Sequence, residues 1–189
     1  MKKFKTSLRV YLTFTILLGL IYPLTMTFIA QMLSPDKANG SLIVKDNRLL
    51  GSRLIGQKFT QAKYFHSRPS TVDYNATSSG ASNLGPASRK LMDAVTERIK
   101  NSRVENNLSP DERIPADMAL SSASGLDPHI TMENALIQAK RVSKTRGVSE
   151  EEIIEMIKNN IDKDFIGIWG EKGINVLKLN MALDTLIQK

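Results

Sequence analysis

The chain has 189 residues, no cysteine, two histidines and a formal charge of +7. Lacking cysteine, it has no Cys-type zinc site, no thiol chemistry and no disulfide framework, and two histidines are too few for a His-rich metal centre. Four of the 26 basic residues stand in the first nine positions with no acidic one, so the rest carries 22 basic against 19 acidic side chains, a surplus too small and scattered to favour nucleic acid.

Residues 10–33, VYLTFTILLGLIYPLTMTFIAQML, contain no charged side chain. As a helix the run is about 36 Å long, enough to cross a hydrocarbon core of about 30 Å. Pro23 removes one backbone bond, which predicts a kink or a local adjustment. Lys2, Lys3, Lys5 and Arg9 precede the run, whereas only Asp36 and Lys37 follow closely. This asymmetry predicts a cytoplasmic N-terminus and an extracytoplasmic remainder. The run exceeds the apolar region of a secretory signal, and FIAQML offers no small-x-small cleavage site, so an uncleaved anchor is expected. The expected organisation is a cytoplasmic tail over 1–9, a transmembrane helix over 10–33 and one extracytoplasmic domain over 34–189, in the cell (inner) membrane.

SPDKANG at 34–40 reads as the exit from the membrane. SLIV and RLLGSRLI predict two short strands, with Asp46 and Asn47 in the turn between them. Residues 57–86 are rich in Ser, Thr, Asn, Gly and Pro and predict a long loop. Its aromatics Phe59, Tyr64, Phe65 and Tyr74 favour an ordered one. From Ala87, the spacing of Leu91, Val95 and Ile99 predicts a helix, with Lys90, Asp93, Glu97 and Lys100 on its wet face. NSRVENNLS is polar, and Ser109, Pro110 and Glu112 suggest a further short helical turn. IPADMALSSASGLDPHIT reads as a second loop. Thr131 caps a helix with Met132, Ala135, Leu136, Ala139 and Val142 inward, stopped by Gly147. Ser149 and Glu152 form a capping box before Ile153, Ile154, Ile157 and Ile161. GEKGIN reads as a turn, and Asn175 caps a last helix with stripe Val176, Leu179, Leu183 and Leu186. The class is α+β: one small hairpin and about four helices behind a single membrane helix.

Four constellations could carry chemistry. Ser124, Asp127 and His129 lie within six residues, and His66 is near Ser67 and Ser70, but triad members are recognised by geometry and no G-x-S-x-G elbow is present. The loops SSGASNLGP and SSASGLDP could present N–H groups to an anion, yet there is no Walker motif and tight turns explain the glycines better. YFHSRPS sets Tyr64, Phe65 and Arg68 beside Pro69, a composition suited to protein recognition, with a core role for the aromatics as the alternative. Glu150, Glu151 and Glu152 form an acidic run that suits a helix N-terminus better than a metal. An accessory subunit of a membrane complex, a receptor-like binding domain and a stand-alone, membrane-anchored exported enzyme or chaperone all remain open on these residues.

Five segments together resemble one family: YFHSRPS at 64–70, SGASNLGP at 79–86, SASGLDPHIT at 122–131, QAKRV at 138–142 and NVLKLNMALD at 175–184. In this order they resemble the C chain of the Kdp-type potassium-transporting P-type ATPase. Ala81, Leu120 and Ala123 depart from that family's usual glycine- and threonine-containing pattern. The resemblance implies a non-catalytic, single-span subunit of an ATP-driven potassium uptake complex. Its partners would be a P-type ATPase chain that hydrolyses ATP, a channel-like chain that passes potassium, and membrane lipid. It also implies a catalytic chaperone that raises the ATP affinity of the ATPase chain, with no covalently bound cofactor. Since the charge pattern puts the domain outside the cytoplasm, that effect is expected to pass through the membrane subunits. Direct nucleotide contact, if made, would fall to Gln138. The candidate partner-binding residues are Tyr64, Phe65, Arg68, Pro69, Asn83, Gly85, Ser124, Gly125, Asp127 and His129.

Overall fold

The computed structural model describes residues 2–45, 47–162 and 172–186. They fall into two compact units, Met1–Ser52 and Arg53–Lys189.

The first unit starts with one rod, Lys2–Leu33, longer than the expected span because the basic tail is helical too. It comprises α1 (Lys2–Ile16), a π turn at Leu17–Ile21 and α2 (Tyr22–Leu33). The π turn is the adjustment that Pro23 requires. A proline ring collides with the carbonyl four residues earlier, here that of Gly19, and a widened turn relieves this. The Tyr22 N–H correspondingly reaches Leu17 O. Thr25 and Thr27 return their hydroxyls to Ile21 O and Pro23 O, both at 2.8 Å. No residue of the rod is buried in the protein. Over residues 10–33 the rod is apolar on every side, and it is long and apolar enough to cross a membrane once.

A short collar comes next. α3 (Pro35–Ala38) ends at Gly40, whose φ of +84° is natural for glycine, and Ser41 N–H returns to Asp36 O at 2.8 Å. Gln31 and Asn39 join their amides at 3.0 and 3.3 Å. β1 (Leu42–Lys45) and β2 (Arg48–Ser52) then pair antiparallel with a bulge between Ile43 and Val44. β2 ends at Ser52, short of the expected Ile55, and Ser52 Oγ donates to Gly40 O at 2.7 Å.

The second unit holds α4 (Arg89–Asn106), α5 (Ala116–Ala119), β3 (His129–Ile130), α6 (Met132–Arg146), α7 (Glu150–Asn159), β4 (Ile174–Asn175) and α8 (Val176–Leu186). The expected caps are present. Thr131 Oγ1 accepts from Asn134 N–H, Ser149 and Glu152 complete both halves of their box, and Asn175 Oδ1 accepts from Lys178 N–H at 3.2 Å. Ala135, Ala139 and Val142 of α6, Ile153 and Ile157 of α7, and Val176, Leu179 and Leu183 of α8 meet Phe65, Ile130 and Ile174 in one core. Ile161 lies past the end of α7, bridged to Ile174.

Three expectations are corrected. α4 continues through NSRVEN to Asn106, because Asn106 is buried and Asn107, at φ +53°, closes the helix one residue later. Ser109 and Glu112 make a turn with one 3.4 Å side-chain bond and no helix. The second loop is interrupted by α5 and ends in β3, which pairs antiparallel with β4. Gly170 and Glu171 of the expected GEKGIN turn lie outside the described residues, and Ile174–Asn175 is strand.

Candidate functional site

YFHSRPS is held by its peptide groups. Phe65 N–H donates to Asn180 Oδ1 at 2.8 Å while Asn180 Nδ2 donates to Phe65 O at 2.9 Å. Gln138 treats the next residue the same way, accepting from His66 N–H at 2.7 Å and donating to His66 O at 3.1 Å. Each carboxamide thus offers one donor and one acceptor, as a neighbouring strand would. Arg141 completes the grip. Its Nη1 donates to Ala62 O and Tyr64 O, its Nη2 to Gln138 Oε1 at 2.7 Å and its Nε to Asn106 Oδ1 at 3.1 Å. Below it, Asn134 ties Gln138 to the Asp117 carboxylate, which also takes Thr131 N–H. At the surface, His66 Nδ1 meets Glu105 Oε1 at 2.8 Å, and this bond holds the Glu105 carboxyl below its ordinary pKa despite partial burial. Tyr64 lies under Arg146, 4.8 Å from guanidinium carbon to ring centre, and its hydroxyl donates to Asp184 at 3.1 Å.

The two small-residue loops spend their polar groups on each other. Ser70 Oγ donates to Gly125 O at 2.7 Å, Gly80 N–H to Ser124 O at 2.9 Å and Thr71 Oγ1 to Gly80 O at 2.7 Å. Gly125 has φ +68°, and a Cβ there would stand 2.8 Å from Val72 Cγ2. Gly56 N–H reaches Leu126 O at 2.7 Å. Arg68 Nη1 then pairs with Asp127 Oδ2 at 2.8 Å.

From Asp127 a line of charges crosses the face. His129 Nδ1 is 3.7 Å from Asp127, its Nε2 is 2.9 Å from Asp162, and Lys178 Nζ is 2.9 Å from the other Asp162 oxygen. Arg68, Asp117, Asp127, His129, Asp162 and Lys172 line a cavity of about 260 Å³ there. The carboxylates of Asp127 and Asp162 hold the His129 imidazole above its ordinary pKa, against the opposing effect of burial. Burial pushes the Asp127 and Asp162 carboxyls up, but their cationic neighbours outweigh it and both lie below the usual range.

A histidine whose folded pKa is raised contributes stability that is complete below its unfolded value of about 6.5 and is lost as pH rises through the folded value. The unfolding midpoint of the full chain in detergent should therefore decline as pH rises above about 6.5. His129→Gln should flatten that decline, and a variant with the wild-type slope would remove His129 as its source.

Ser124 Oγ accepts from Leu126 N–H at 3.1 Å, and among the described residues no serine hydroxyl bonds either histidine. The Ser124–Asp127–His129 grouping is a turn linked to an ion-pair line. Of the other candidates, Asn83 and Gly85 are exposed, Tyr64, Arg68 and Pro69 are half-buried, and Gly125 is buried. Phe65 is fully buried and Gln138 is 2% exposed, with both its amide atoms engaged inside the domain. Sequence reading passed over Asn134, Arg141, Asp117, Asp162 and Asn180. A signal existed for two of them: Asn134, Gln138 and Arg141 repeat at helical spacing immediately before the inward residues Ala135, Ala139 and Val142.

A family model described as "K+-transporting ATPase, c chain" matches residues 4–185. The chain is 45% identical over 182 residues to the potassium-transporting ATPase KdpC subunit of Mycobacterium bovis (strain BCG / Pasteur 1173P2), covering 95% of this chain and 96% of that protein. It is 44% identical over 188 residues to the KdpC subunit of Caldanaerobacter subterraneus subsp. tengcongensis, covering 100% and 97%. It is 42% identical over 203 residues to that of Rhodopseudomonas palustris (strain BisB5), covering the whole of both.

Proposed function

Because the chain belongs to the family of K+-transporting ATPase c chains, we propose that it is the single-span, non-catalytic subunit of an ATP-driven potassium uptake complex, supporting assembly with a P-type ATPase chain and a channel-like potassium-translocating chain. The observation that carries this reading is the extent of the match, which includes the apolar rod as well as the domain. The N-terminus is cytoplasmic and residues 34–189 are extracytoplasmic, as the four basic residues ahead of the span support. In this topology the subunit raises the ATP affinity of its partner by favouring one conformation of the membrane chains. A tenfold gain needs about 1.4 kcal/mol of differential contact between two states, which a docked domain can supply. The engagement of both Gln138 amide atoms within the domain supports this indirect route over direct nucleotide contact. Docking falls to the accessible part of the candidate surface: Tyr64, Arg68, Pro69, Asn83, Gly85, Ser124, Asp127 and His129.

The test is purification of the tagged full chain from potassium-starved cells. A multi-span ATPase and a channel-like chain should accompany it, and a reporter active only in the cytoplasm should be silent when fused after Lys189. Recovery of the chain alone would defeat the subunit reading, and an active reporter would defeat the topology and reopen direct ATP contact.

A further inference from the structure

The hairpin after the membrane rod leaves Leu42, Val44 and Leu49 at 48%, 60% and 62% exposure. Val44 pairs with Leu49, and Leu42 lies two residues before Val44, so the three side chains share one face. Near the turn, Lys45 is paired directly with Arg48. Like charges placed opposite each other destabilise a ladder unless something anionic lies beside them. Residues 42–53 hold three basic side chains and one acidic one, so the segment as a whole favours an anionic surface.

The depth of the hairpin is set by the rod. Centred in the bilayer, the charge-free run reaches about 18 Å each way. The hydrocarbon ends about 15 Å from the midplane and the headgroups about 20–22 Å from it. Gln31 therefore lies at the hydrocarbon boundary. Asn39 is bonded to Gln31 through both amides, and Gly40 accepts the Ser52 hydroxyl at the foot of the hairpin. Side-chain bonds, not a free linker, tie the hairpin to the boundary.

We propose that the β1–β2 hairpin is a membrane-seated element, with Leu42, Val44 and Leu49 inserted at the acyl-chain boundary beside the span and Lys45 and Arg48 on anionic lipid phosphates. The proposal rests on reading Lys2–Leu33 as a membrane span. It assigns the hairpin to lipid because side-chain bonds tie it to the end of the span and because it is two-sided, with Leu42, Val44 and Leu49 on the apolar face and Lys45 and Arg48 on the opposite face, turned outward to the phosphate level.

The cysteine-free chain permits a direct test. Single nitroxide labels are placed through Leu49→Cys, Phe28→Cys in the rod and Glu133→Cys on the exposed side of α6. The full chain is reconstituted in phosphatidylcholine–phosphatidylglycerol vesicles, and the measurement is repeated in the co-purified complex. At Leu49 molecular oxygen should relax the label more than a water-soluble nickel chelate does, with the order reversed at Glu133. Lys45→Gln combined with Arg48→Gln should shift the Leu49 label towards nickel access. Nickel access at Leu49 equal to that at Glu133, with Phe28 still protected, overturns the proposal. Shielding of Leu49 from both reagents in either preparation means that protein covers the face and overturns it too. Nickel access at Phe28 defeats the span reading itself.

Discussion

Arg141→Ala should lower the stability of the full chain by about 3–5 kcal/mol, the cost of removing one member of a buried charged set. At about 2–4 °C per kcal/mol for a domain of this size, the midpoint falls by roughly 6–20 °C. The guanidinium is 6% exposed and supplies donors to two loop carbonyls, to Gln138 and to Asn106. Its loss removes the donor to Ala62 O, Tyr64 O and Asn106 Oδ1 and leaves Gln138 Oε1 with the His66 N–H alone. Arg141→Lys should recover little, because an ammonium cannot reach acceptors spread around a planar fork. Thermal unfolding of the detergent-solubilised chain, followed by circular dichroism, measures both. A loss below about 1 kcal/mol would mean that the carboxamides of Gln138 and Asn180 hold the loop unaided.

Gly56→Ala should cost about 3 kcal/mol, the upper end of what overpacking usually costs, because the clash is with backbone. A Cβ at residue 56 would stand 2.5 Å from Asp127 O and 3.2 Å from Leu126 O. Those atoms are backbone, so relief requires moving the 126–128 segment and with it the Arg68–Asp127 pair and the 2.7 Å bond from Gly56 N–H to Leu126 O. Gly85→Ala is the matched control. Nothing lies within 4 Å of a Cβ there and its backbone is not left-handed, so its effect should stay within about 0.5 kcal/mol. Equal midpoints for the two variants would show that the 126–128 segment yields freely. Assembly measured alongside separates loss of fold from loss of docking.

What the sequence made legible was what it encodes locally. Thr131, Gly147, Ser149 with Glu152, and Asn175 act on backbone groups within a few residues, and each marks its helix end as expected. The apolar stripes of α6, α7 and α8 point inward for the same reason. The end of α4 was not legible, because NSRVEN is polar and its helix is secured by Asn106 meeting Arg141, 35 residues away. β3 and β4 are two residues long and pair across more than forty, so they leave no period to read. The site divides the same way. The loops stood out by composition, but Arg68 with Asp127 and His129 with Asp162 are partners 59 and 33 residues apart. The grip on Phe65 and His66 was hidden more deeply, since it recognises peptide groups and leaves no mark on the side chains it holds.

The wide turn at Leu17–Ile21 gives the membrane rod a phase buffer. Successive residues of an ordinary helix are rotated by about 100° about its axis, so one deletion at Thr27 would swing the Gln31–Asn39 collar far around the rod. A π turn holds one surplus residue without that rotation. Losing one residue between 17 and 21 would restore ordinary winding there and leave the halves on either side facing as they do now. The rod can thus be trimmed to a thinner bilayer at its middle while its outer end keeps the same compass bearing.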